Sequence, residues 1–213
     1  MDFLKRKTSR VWTSLTFSKP SAGALLLAAL ILGSTQSMAQ DGQAHPLQFK
    51  SVAEMIEDRG DYAEENGTFK LVSAKPVKIQ LAPTVVPGDL PENVQRELRR
   101  AALYGVYRTF AHTNVDAVVV TVVPREVTFN PVTSKLLKTP NVQISVTRAQ
   151  AMMAAGKFVK ASTASDLVAP EAAGDSQLDE WTPAFQDLYF KDAGQLQLLK
   201  AIKTAGGDLV NNG

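Results

Sequence analysis

The chain has 213 residues, with 23 lysines and arginines against 21 aspartates and glutamates, two histidines and no cysteine. The lack of cysteine excludes disulfides, thiolate nucleophiles, cysteine-ligated zinc, iron–sulfur clusters and a lipid-modified amino-terminal cysteine. Charge is unevenly placed: the first 39 residues hold five basic and one acidic residue, leaving 18 basic and 20 acidic in the remainder, a balance that argues against nucleic acid as a partner.

Lys5, Arg6, Lys7, Arg10 and Lys19 precede an apolar run from Ala22 to Gly33. At 12 residues that run is short for a bilayer core, which takes about 20. Ser37-Met38-Ala39 then offers small residues at the positions a signal peptidase reads. The pattern predicts a signal peptide over residues 1–39, cleavage near Ala39, and a periplasmic or secreted product without a stable membrane span. Retention as an uncleaved anchor is the competing reading.

Residues 40–50 are polar and lack periodicity, as in a flexible leader. Ser51-Val52-Ala53-Glu54 has capping-box spacing and opens a short helix with Val52, Met55 and Ile56 on one side. Phe69, Leu71 and Val72, then Val77, Ile79 and Leu81, read as two strands around Pro76. After a turn-rich stretch, Pro91 suits a first helical turn, and Val94, Leu98, Ala102, Val106 and Phe110 recur every four residues. This predicts one long helix to about His112, interrupted in propensity by Gly105, whose place there implies close approach of a neighbouring element. The β-branched run Val118 to Val123 reads as a central strand buried on both faces. Glu126 to Phe129 extends it or starts another, Lys135 to Pro140 reads as a loop, and Val142 to Val146 as a strand. Thr147 and Gln150 repeat the capping-box spacing ahead of a further helix. Residues 160–174 read as a surface linker, Pro183–Phe190 and Asp192 onward as helices, and 206–213 as a disordered tail.

Together these elements predict a single α+β domain over residues 51–205. It consists of a mostly antiparallel sheet of about four strands, covered by one long helix, with additional C-terminal helices.

No nucleotide-binding, esterase or metalloprotease motif occurs, and no cofactor or metal ligand set is expected. His112 with Asp116 is the one His–carboxylate pair that suits a general base, although a histidine at a helix C-terminus equally complements the helix dipole. His45 falls in the leader. The acidic groups Glu54 to Glu65 and Asp175 to Glu180 read as solvated faces. Arg96, Arg99, Arg100 and Arg108 offer either a positive strip on the long helix, with Arg96 and Arg100 on one face, or an ordinary solvated surface. Tyr62, Tyr104, Tyr107, Trp181 and Phe185 are large aromatics suited either to the core or to an interface. The resulting expectation is an exported, non-enzymatic protein that binds another exported or envelope protein through Arg96, Arg100, Tyr107, Trp181 and Phe185. The alternatives are a small-ligand binder with its ligand between sheet and helix, and a hydrolase using His112.

Overall fold

The computed structural model describes residues 44–174 and 176–213, so the predicted signal peptide and its cleavage point lie outside the described residues. Local signals set most element boundaries. Helix α1 (Val52–Arg59) begins where the Ser51 hydroxyl accepts the Glu54 N–H at 3.1 Å, and ends at Gly60 in the left-handed region. Strands β1 (Phe69–Ala74) and β2 (Val77–Leu81) pair antiparallel. After the short strand β3 (Thr84–Val85), helix α2 (Pro91–His112) runs for 22 residues with proline in its first turn.

Strands β4 (Ala117–Val122), β5 (Arg125–Phe129), β6 (Val132–Leu136) and β7 (Asn141–Thr147) follow. Helix α3 (Arg148–Ala155) opens on the Thr147–Gln150 capping box. A 3-10 turn (Ala164–Leu167) leads into the hairpin β8 (Val168–Ala173) and β9 (Ser176–Trp181). The chain closes with α4 (Pro183–Phe190), α5 (Asp192–Thr204) and β10 (Asp208–Asn212).

The main sheet has five strands in the order β1-β2-β4-β7-β10; a three-stranded sheet β3-β5-β6 and the β8–β9 hairpin stand apart from it. Only β2 and β4 run parallel in the main sheet, which follows from α2 carrying the chain across between them. The architecture is mixed α+β, with sheets of mixed orientation and five α-helices among the described residues.

Five expectations are corrected. The fifth strand of the main sheet comes from residues 208–212, expected to fray: all five pair antiparallel with residues 141–145 of β7. Residues 44–50 are pinned rather than free, because Phe49 N–H donates to His112 O at 2.8 Å and Leu47 N–H to an Asp179 carboxylate oxygen at 2.6 Å. The linker expected over 160–174 contains the 3-10 turn and β8, and part of the loop expected from Lys135 belongs to β6. Finally, β4 is central but buried on one face only: Val118, Val120 and Val122 face the core, while Val119 and Thr121 are half-exposed.

The core lies on both sides of α2. Its first turns are amphipathic, but from Ala101 to His112 every residue is buried. One side packs on β2, β4 and β7; α3, α4, α5 and the 3-10 turn close the rest. Gly105 permits the approach to the sheet, since a Cβ there would lie 2.7 Å from Val120 Cγ1 and 3.1 Å from Leu81 Cδ1. On the other side, Tyr107, Phe185, Trp181 and Tyr189 form a chain of aromatic contacts with ring centroids 4.9, 4.9 and 5.3 Å apart.

Candidate functional site

The completely buried last turn of α2 brings His112 against two distant segments. Its Nδ1 lies 2.9 Å from the Leu47 carbonyl oxygen, which can only accept, so Nδ1 carries the proton. Nε2 then accepts from Arg108 Nη1 at 3.2 Å. Burial, with Arg108 and Arg59 nearby, lowers the imidazole pKa to about 4 against the opposing Leu47 bond and Asp179. His112 is therefore neutral at pH 7, and its 3.6 Å approach to an Asp179 carboxylate oxygen is not an ion pair. Both ring nitrogens are occupied by the fold, and the side chain has no solvent exposure. The carboxylate facing His112 is Asp179, from β9, rather than Asp116. Asp116 instead exerts its charge on Arg148.

Asp179 organises the next layer. Its carboxylate accepts from Leu47 N–H and from Gln177 Nε2 at 2.8 Å. Its backbone carbonyl accepts from Arg108 Nη1 at 2.5 Å and from Arg59 Nη2 at 3.0 Å. Two guanidinium groups from different helices thus converge on one oxygen. Among the described residues, neither has a carboxylate within ion-pair distance. Arg108 is 4% exposed and stacks over the Trp181 ring, its guanidinium carbon 3.8 Å from the centroid. Burial and the charge of Arg59 lower the Arg108 pKa to about 10, which leaves it cationic at neutral pH.

Both guanidiniums line a cavity of about 610 Å³ between α1, α2, β9 and α4, walled by Tyr62, Tyr104, Trp181 and Tyr189. The Nε of Arg59, the Nε of Arg108 and the Oη of Tyr104 are buried without a hydrogen-bond partner. Burial raises the Tyr104 hydroxyl pKa well above the ordinary phenol value, so it remains a donor. Orphaned donors of this kind are costly unless something accepts from them. The chemistry on offer is a set of preorganised donors and positive charge, suited to holding oxyanion oxygens. Arg100 also lines the cavity, but pairs with Glu97 three residues before it.

The structure redistributes the residues that the sequence singled out. Arg96 is exposed and does not line the cavity, whereas Arg100 does. Tyr107, Trp181 and Phe185 are buried, which corrects their expected role as interface anchors. They meet one another because α4 and β9 dock on α2, and the Tyr107 hydroxyl donates to Ala151 O at 3.1 Å. Trp181 alone of the three lines the cavity. Arg108, expected on a positive strip of the long helix, and Asp179, expected on a solvated acidic face, are both buried, which corrects those expectations, and Tyr104 lies on the core side of its two readings. Arg59 was not singled out. The one local signal was Arg108, a charged residue within the buried half of α2. No protein family, curated protein or solved structure matches this chain.

Proposed function

We propose that this chain is an exported, non-enzymatic binding protein whose cavity takes a small anionic ligand between α1, α2 and β9. The observation that carries the reading is the convergence of Arg59 and Arg108 on Asp179 O without a paired carboxylate. Two like charges held together in a partly desolvated site are stabilised by an anion. Against catalysis stands the His112 imidazole, the strongest general-base candidate, which is neutral and hydrogen-bonded on both sides by the fold. Export rests on the basic and apolar segments ahead of Ala39, and amino-terminal sequencing of the protein from its own cells should begin at Gln40.

The test is thermal unfolding of the purified protein with increasing acetate, inorganic phosphate or 3-phenylpropionate. At least one of these should raise the midpoint in proportion to its saturation. Arg108→Met should abolish that rise; it removes a buried charge but also the bonds to Asp179 O and His112 Nε2, so thermal unfolding without ligand verifies that it folds. Should Arg108→Met fail to fold, the half-buried Arg59→Met reports the same loss. An unchanged response in both variants overturns the reading.

A second reading, interaction with another envelope protein, has its own observation. On the β5–β6 hairpin, Phe129 is 70% exposed, Val132 77% and Leu136 50%. The strand register places these three on one face with Val127. Phe129→Lys with Val132→Lys should leave stability within about 0.5 kcal/mol and eliminate cross-linking to an envelope protein in cells. Retained cross-linking removes this face from consideration.

A further inference from the structure

The charges around the cavity narrow the ligand beyond "anion". Three guanidiniums, Arg59, Arg100 and Arg108, line it together with three carboxylates, Asp61, Glu97 and Glu180. Glu97 and Arg100 neutralise each other. Among the described residues, Asp61 and Glu180 have no cation within ion-pair distance, just as Arg59 and Arg108 have no anion. The free groups thus balance at two of each sign. A polyanion such as a nucleotide would be drawn to the arginines and repelled by the acids, whereas a ligand carrying one charge of each sign satisfies both.

Spacing limits the separation of those charges. Glu180 directly follows Asp179, whose carbonyl gathers the two guanidiniums, and its charge is felt at Arg108. Glu180 and the carbonyl that gathers both guanidiniums are thus neighbours along β9, which suits a ligand whose ammonium and carboxylate are separated by a single carbon. The remaining wall is aromatic, with Tyr62 and Tyr104 rings 5.2 Å apart. An inorganic oxyanion would leave most of the 610 Å³ unfilled.

Resting on the anion-site reading above, we infer that the ligand is a free α-amino acid with an apolar or aromatic side chain. Its carboxylate binds Arg59 and Arg108, its ammonium binds Glu180 with Asp61 beyond it, and its side chain lies against Tyr62 and Tyr104. Arg59, Arg108 and Tyr104 all line the cavity that this ligand fills.

Calorimetric titration of the purified protein compares L-phenylalanine with 3-phenylpropionate and phenethylamine, and L-leucine with 4-methylpentanoate and 3-methylbutylamine. At least one amino acid should bind about tenfold or more tightly than both of its singly charged analogues, the scale of one charge-assisted contact. Glu180→Gln, with its thermal unfolding measured without ligand to verify folding, should reduce that preference over the carboxylate to less than about threefold. If the carboxylates bind as tightly as the amino acids, or the preference survives Glu180→Gln, the amino-acid inference falls and the anion site stands. If no amino acid and no carboxylate or phosphate binds, both fall.

Discussion

The guanidinium of Arg108 lies over the indole of Trp181, 3.8 Å from the ring centroid, and the same indole packs against Phe185 and Tyr189. Trp181 therefore serves the core and the cavity at once. Trp181→Ala should cost about 3–5 kcal/mol in urea unfolding, the range for removing a buried large aromatic. Trp181→Phe should cost less, because a ring still covers Phe185. Both should weaken anion binding by removing or shrinking the surface that holds Arg108 in place. Full stability in Trp181→Ala would mean that the aromatic cluster is not part of the folded core.

His112 gives the fold a defined acid sensitivity. Its pKa is about 4 in the folded protein against an ordinary 6.5, so between these values the unfolded chain binds a proton that the native state excludes. Its contribution is complete above about pH 6.5 and is lost as pH falls toward 4, amounting to about 3 kcal/mol. His112→Gln lacks this titration. The stability gap between the wild type and this variant should narrow by about that amount from pH 7 to pH 4, as read from urea midpoints across the range. A gap independent of pH would mean that the imidazole protonates without penalty.

Gly105 and Val120 set the distance between α2 and β4. Alanine is the better helix former by about 1 kcal/mol, yet its Cβ would meet Val120 Cγ1 at 2.7 Å. Overpacking should win, and Gly105→Ala should destabilise by about 1–3 kcal/mol. Adding Val120→Ala should recover part of that loss, a non-additivity that a double-mutant cycle in urea measures directly. Simple additivity would show that the two side chains do not share the same space.

Arg148 closes the C-terminal end of α2 from the first turn of α3. Its guanidinium donates to the carbonyl oxygens of Phe110, of Thr113 at 2.6 Å and of Val115 at 2.8 Å. Those acceptors include carbonyls that a helix end leaves without intrahelical partners, and the positive charge complements the helix dipole. Arg148→Met keeps the stem and removes these bonds. It should cost about 2–4 kcal/mol and increase amide exchange at the end of α2 before the rest of the helix. Uniform exchange along α2 would argue that Arg148 does not hold that end.

Periodicity and capping made much of this chain legible as sequence. The four-residue recurrence from Val94 to Phe110 gave α2, the alternation around Val77–Leu81 gave β2, and the Ser51 and Thr147 spacings gave the starts of α1 and α3. These signals are local: they depend on side chains within a turn or two of one another. The alternating burial of β4 was misread because a run of β-branched residues specifies a strand but not whether a layer covers its second face. Residues 208–212 carry no strong strand pattern and are ordered by the exposed edge of β7.

The candidate site was hidden for the same reason. Composition and the amino-terminal pattern, read by themselves, determined the absence of thiol chemistry and the expectation of export. Between Arg59, the last residue of α1, and Arg108 lie the β1–β2 hairpin, β3 and most of α2, and the oxygen that joins them belongs to Asp179, 71 residues beyond Arg108. No spacing rule connects such positions. Only the docking of β9 and α4 against the buried half of α2 makes Asp179 a common acceptor, places Trp181 under Arg108 and turns His112 from a candidate base into a neutral strut. Tertiary packing decided these roles because a side chain's charge and hydrogen bonding depend on its desolvated neighbours, and the chain brings those neighbours together only when it folds.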